Sequence, residues 1–126
     1  MEENAVGWFE IPVTDMQRAI KFYETVLNIK LTHQNFGGLE MAWFPHGKGY
    51  GAGGALVFDK SFYTPSEQGT LVYLTAHSGD LQNELARAEK AGVKVVQQKK
   101  QISPEHGYMA LIIDSEGNRI ALHSMK

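Results

Sequence analysis

The sequence predicts an α+β fold in which one unit, strand–helix–three strands, occurs twice in tandem. Three observations predict it. Alternation of apolar and polar residues gives way to helical spacing twice, first near residue 14 and again near residue 80. Each helical stretch is followed by three short strand-like segments. The halves also overlay when Asp15-Met16-Gln17 is set on Asp80-Leu81-Gln82, which places Ile20 on Leu85 and Glu24 on Glu89.

Each element has its own warrant. In residues 6–13, Phe9, Ile11 and Val13 alternate with Trp8, Glu10 and Pro12, a strand with one buried face. Thr14-Asp15-Met16-Gln17 reads as a capping box with Thr14 as the cap. The helix then runs to Leu27 on a stripe of Met16, Ile20, Tyr23 and Leu27, and Asn28 stops it. Residues 29–34, 39–44 and 54–58 are the three strands of the first unit, with the glycines of 37–54 in the loops between them. Residues 59–69, with Thr64-Pro65-Ser66, form a connector loop. The second unit repeats the order: a strand at 71–75, a helix at 80–91 with Leu81, Leu85 and Ala88 inward and Gly92 closing it, then strands at 93–96, 108–113 and 119–123. Ser115-Glu116-Gly117-Asn118 is the turn of the last hairpin. The expectation is one domain over residues 1–126, with modules at about 5–59 and 69–124. Neither module is large enough to bury a stable core alone, so they are expected to pack together or swap with a second chain.

Composition removes several function classes. Of 126 residues, 14 are acidic and 12 basic, which leaves no basic footprint for nucleic acid or an anionic membrane. The chain has no cysteine, which excludes disulfides, thiolate metal sites and cysteine nucleophiles. No apolar run approaches the ~20 residues of a membrane span, and Met1-Glu2-Glu3-Asn4 does not open a signal peptide. A cytoplasmic protein is expected. Five histidines and the carboxylates remain as candidate ligands or acid–base groups.

Two segments carry a family resemblance: Val13-Thr14-Asp15-Met16-Gln17-Arg18-Ala19-Ile20-Lys21-Phe22-Tyr23 and Asp114-Ser115-Glu116-Gly117-Asn118-Arg119-Ile120. They resemble the opening strand-to-helix segment and the final hairpin of the vicinal oxygen chelate superfamily, the glyoxalase, bleomycin-resistance and extradiol-dioxygenase group. The resemblance implies paired modules whose curved mixed sheets enclose a cavity, often in a homodimer. It also implies a divalent metal held by His and Glu that polarises vicinal oxygens of the substrate. The four ligand positions it implies fall on Trp8, on residues 54–58, on Leu71 or Tyr73, and on Ala121. Residues 54–58 hold no ligand type, and neither Trp nor Ala has a lone pair for a hard cation. The expectation is therefore a site without a metal or other cofactor.

With this fold, parity turns Trp8, Glu10 and Pro12 into the cavity, together with Arg119, Ala121 and His123 of the last strand and Tyr73 and Thr75 of the second module. Glu10 with His123 makes a candidate general base or proton relay; the plainer alternative is that Glu10 pairs with Arg119 or water and closes the barrel. Trp8, Trp43 and Tyr73 make a candidate aromatic lining for a flat ligand, with core packing as the alternative. Gly49-Tyr50-Gly51-Ala52-Gly53-Gly54 matches G-x-G-x-x-G but leads into a strand, so it is expected to be a loop at the cavity mouth or a dimer contact rather than a dinucleotide site. Lys94, Lys99 and Lys100 read as a solvated face, and His33, His77 and His106 receive no role.

Three functions follow as expectations. The first is binding of a small organic ligand in the concave cavity without the family metal. The second is an enzyme related to lactoylglutathione lyase: a lyase, isomerase or dioxygenase using a displaced divalent metal or the Glu10/His123 pair. The third is a dimeric interaction module without a ligand.

Overall fold

The computed structural model describes residues 4–49 and 51–126. The elements follow in the order β1 (Trp8–Pro12), α1 (Met16–Leu27), β2 (Thr32–Phe36), β3 (Leu39–Trp43), β4 (Gly53–Phe58), β5 (Val72–Thr75), α2 (Leu81–Lys90), β6 (Val95–Ser103), β7 (Gly107–Ile113) and β8 (Arg119–Ser124). They build two four-stranded mixed sheets with the same plan, β1-β4-β3-β2 and β5-β8-β7-β6. In each, the first strand runs parallel to the last strand of its module and the remaining pairs are antiparallel. The tandem α+β repeat is therefore the observed fold. The sheets are curved and do not close, and β1 and β5 are both free edges.

The residue overlay has a physical counterpart in the helix starts. Asp15 caps α1 by accepting from the Arg18 N–H at 3.1 Å, and Asp80 caps α2 by accepting from the Gln82 N–H at 2.9 Å. This corrects the expected cap: Thr14 lies one residue outside, and its hydroxyl serves a different contact described below. Asn28 ends α1 as expected, in the left-handed region at φ 55°. Gly92 follows α2 at φ 90° and donates its N–H to the Glu89 carbonyl, with Ala91 as the cap.

The largest error of pattern reading is β6. A strand is expected at 93–96, whereas the observed strand runs from Val95 to Ser103 through Gln97-Gln98-Lys99-Lys100-Gln101. An edge strand solvated on much of its surface needs no apolar alternation; pairing with β7 makes it a strand, with register shifts that let polar residues face water. Lys99 is also more than a solvated charge. Its ammonium lies 2.9 Å from Asp80 Oδ1 and 4.7 Å from the Tyr108 ring centre, which ties β6 to the cap of α2.

One buried apolar cluster runs through both modules. Ile11, Val13, Tyr23, Val26 and Leu56 come from the first; Leu74, Leu81, Leu85, Ile112, Ile120 and Leu122 come from the second. Burying each such side chain contributes about 1.5–3 kcal/mol. The helices lie on their own sheets and touch each other, so the core sits on the helix side of both sheets. The predicted inward residues of α2, Leu81, Leu85 and Ala88, are all buried there.

A polar clamp joins the modules at the opposite end. Glu116, in the β7–β8 turn, accepts from the Thr14 N–H (2.9 Å), the Thr14 hydroxyl (3.1 Å) and the Asp15 N–H (2.9 Å), and pairs with Arg18 Nε at 2.8 Å. These donors include backbone groups at the start of α1, where the helix leaves its first N–H groups unpaired. Burial pushes the Glu116 carboxyl up, but the bonds from Arg18, Asp15, Thr14 and Ser115 outweigh it and hold the group at about 2. Beside it the buried Tyr23 hydroxyl donates to Asp114 Oδ2, and Asn118 Nδ2 donates to the Pro12 carbonyl at 2.8 Å. Burial and the Asp114 carboxylate push the Tyr23 hydroxyl far above its ordinary value. The two segments that carry the family resemblance are thus one physical interface.

Candidate functional site

The side of each sheet away from its helix is set by register. On the first sheet Trp8, Glu10 and Pro12 stand beside Gly53, Ala55 and Val57, and Met41 and Trp43 join them from β3. On the second, Tyr73 and Thr75 stand beside Ala121 and His123, with Arg119 at the start of β8. The opposite parity, with Ile11 and Val13 or Ile120 and Leu122, lies in the core, so the assignment of faces from the sequence holds.

A cavity of about 1150 Å³ has Trp8, Glu10, Tyr73, Thr75 and Arg119 on its wall, together with Ile11, Leu74 and Ile120 of the opposite parity. Trp43, Ala121 and His123, expected to face it, do not border it, because it opens along the edges of β1 and β5 rather than over one face of a sheet. Both free-edge strands contribute to it, so it lies between the two sheets. Thr64, Ser66 and Gly69 of the connector and Gly47, Gly49 and Gly51 of the glycine loop border it. Tyr50 of that loop falls outside the described residues.

Trp8 is 39% exposed yet held from three directions. Its indole N–H donates to Glu10 Oε2 at 3.3 Å. Its ring meets Trp43 edge-on with centres 5.2 Å apart. It also lies over Gly53, where an added Cβ would fall 3.2 Å from the Trp8 ring and 3.0 Å from that of His46. Trp43 continues the row by stacking on Phe36 at 5.8 Å, and Phe36 is 52% exposed. Met41, Ala55 and Val57 form a small cluster of their own, against which Trp43 packs. Trp43 therefore packs on this cluster and backs Trp8 without reaching the cavity wall, and among the described residues its buried Nε1 has no hydrogen-bond partner.

Glu10 receives two neutral donors, Trp8 Nε1 and the Tyr63 hydroxyl, the latter at 2.6 Å. The bond to Glu10 holds the Tyr63 hydroxyl above the ordinary tyrosine value. His123 instead places Nε2 2.6 Å from the carbonyl of His106. The chain does not bring Glu10 and His123 together: they stand on different sheets, each with its own partner. Nor does Glu10 pair with Arg119. The Arg119 Nε is buried without a hydrogen-bond partner, and among the described residues its guanidinium forms no salt bridge.

Two residues of this region escape sequence reasoning. Phe36 follows the segment expected as a strand, although its parity with Gln34 and its place before Gly37-Gly38 put it opposite Leu39 on the same face as Trp43. Tyr63 sits in the connector, where no periodicity operates, and meets Glu10 from 53 positions away.

The sequence matches the profile of the Glyoxalase/Bleomycin resistance protein/Dioxygenase superfamily over residues 5–122, and the chain belongs to that family. No curated protein sequence matches it closely. Among solved structures it is similar to TnmS3, an antibiotic-binding protein from Streptomyces sp. CB03234, at 25% identity and TM-score 0.65, covering 98% of each chain. It shares its fold with the trypanothione-dependent glyoxalase I of Leishmania major, at 18% identity and TM-score 0.70 over 98% of this chain and 88% of that one. It likewise shares it with a glyoxylase/bleomycin resistance protein/dioxygenase domain from Frankia sp. EAN1pec, at 14% identity and TM-score 0.73 over 99% and 100%.

The side chains present do not fit the metal of the family resemblance. Trp8, Leu71 or Tyr73, and Ala121 stand at three of the implied positions, and β4 supplies only glycine and apolar residues at the fourth. Among the described residues no three His, Asp or Glu side chains converge on one point. No helix among them is long and apolar enough to cross a membrane.

Proposed function

We propose that the protein binds a small, flat organic ligand between its two sheets, using its own side chains rather than a divalent metal. The observation that carries this reading is the row Phe36–Trp43–Trp8. Its inner member is braced by Gly53 and Glu10 and stands partly exposed on the wall of a 1150 Å³ cavity. A ring held at several points and still open to solvent loses little freedom when a ligand stacks on it. The cavity is of the size that accommodates drug-like molecules, and polar side chains on its wall, Glu10, Thr75 and Arg119 among them, would orient a ligand. Similarity to an antibiotic-binding protein supports the same reading.

Tryptophan fluorescence titration with a neutral planar probe, naphthalene-2-carboxamide, tests the proposal. Binding should persist in excess EDTA, and Trp8→Ala should weaken it about tenfold while the fold is retained by circular dichroism. Binding that requires an added divalent ion, or is indifferent to Trp8→Ala, overturns it. The enzymatic alternative through Glu10 and His123 gains no support from the geometry of one chain.

A further inference from the structure

Arg119 is the residue of this cavity with unspent bonding capacity. Among the described residues on the wall it is the one lysine or arginine, and Glu10 is the one carboxylate. Glu10 is occupied by Tyr63 and Trp8 and does not neutralise it. The guanidinium enters no salt bridge among the described residues, and its Nε–H is shut away from water with no acceptor. Its Nη groups, by contrast, are not shut away, and among the described residues no acceptor engages them; they are the donors a ligand can reach.

Nor is Arg119 loosely placed. It opens β8 directly after Asn118, whose Nδ2 donates to the Pro12 carbonyl of β1 and whose Oδ1 accepts from the Ser66 N–H. It pairs in register with Ile113 across the hairpin. The position is thus tied to β1, the strand that also carries Trp8. A guanidinium offers parallel N–H donors in a planar fork, the geometry that a carboxylate accepts in bidentate fashion.

We infer that the ligand of this cavity is a planar aromatic acid, with its ring against Trp8 and its carboxylate on Arg119. The inference rests on the cavity-binding reading above and adds the charge of the ligand to it. The probes are a matched pair, 2-naphthoate and naphthalene-2-carboxamide, nearly equal in shape and differing by one negative charge. At pH 8 the wild-type protein should bind the carboxylate about ten- to a hundredfold more tightly than the amide. Arg119→Gln should bring the two within about threefold, chiefly by weakening the carboxylate. Arg119→Lys, which keeps the charge but loses the fork, should fall between. The wild-type preference is measured without any variant, so a poorly folding Arg119→Gln does not shelter the claim. Equal binding of the two probes by the wild type, or a preference that survives Arg119→Gln, overturns the inference and leaves the cavity reading standing. Failure of both probes to bind overturns the two together.

Discussion

The two modules solve the same packing problem with opposite choices of side-chain size. In the first, Phe9 pairs in register with Gly54 and Trp8 with Gly53. In the second, the equivalent pairs are Leu74 with Leu122 and Tyr73 with Ala121. Two leucines share the space evenly. An aromatic ring facing a glycine takes all of it: the Phe9 ring occupies the place where a Cβ on Gly54 would stand, at a separation of 2.3 Å. The uneven choice lets a large ring lie flat across the seam of a parallel strand pair. At the neighbouring register position it yields Trp8, braced on one side and open on the other. In the second module Tyr73 is 51% exposed over Ala121, while charge arrives through Arg119. The first half therefore brings Trp8 and Glu10 to the wall and the second Tyr73, Thr75 and Arg119, although backbone plan and strand order are the same.

The comparison can be broken at the paired positions. Leu122→Ala removes a buried side chain from a tightly packed seam and should cost about 2–5 kcal/mol. Gly54→Val acts in the opposite direction in volume, forcing the Phe9 ring aside, and should cost about 1–3 kcal/mol. Chemical denaturation of both variants checks the contrast. If Gly54→Val is neutral, the ring-over-glycine account of the first module is wrong.

The clamp between modules gives a smaller effect with a pH signature. Glu116 sits at about 2 in the folded protein against an ordinary 4.5. A depressed carboxylate stabilises the fold above its unfolded value and loses that contribution as the pH falls through the folded one. Glu116→Gln should thus lower stability by about 1–2 kcal/mol at neutral pH, a figure reduced for solvent screening. Melting temperatures of variant and wild type should converge between about pH 5 and pH 2. A constant gap across that range would mean that shape and not charge holds the turn.

The helix caps give the finest comparison. Asp15→Ala should cost about 1 kcal/mol. Asp80→Ala should cost slightly more, because Asp80 also receives Lys99, whose bond holds its carboxyl below the ordinary value. Equal losses in thermal melts would show that the Lys99 pair, at the surface, contributes nothing measurable.

What the sequence makes legible follows from the range of the forces involved. Alternation along β1 and β8 reveals which residues turn inward, because a buried face has to be apolar at every second position. The faces of Trp8, Glu10, Tyr73, Thr75, Arg119 and His123 were readable for the same reason. The polar residues of β6 satisfy no such rule, so the pattern stops short of the strand, and Thr14 and Asp15 are both good caps, so the start of α1 is ambiguous by one residue. The partners of those face residues were not readable. Glu10 meets Tyr63 and His123 meets the His106 carbonyl through chain geometry that no local pattern encodes. Parity places Arg119 on the cavity side, but no local pattern encodes that its Nε finds no acceptor among the described residues.

The Glu116 clamp carries one further consequence. Arg18 and Glu116 lie 98 positions apart, and the donors they engage include the opening N–H groups of α1. During synthesis, α1 and its sheet emerge long before the turn that completes the helix start. Until that turn emerges, the first half lacks both its polar closure and the apolar partner supplied by β8. It waits as an incompletely closed intermediate until the last hairpin brings the acceptor for Thr14 and Asp15.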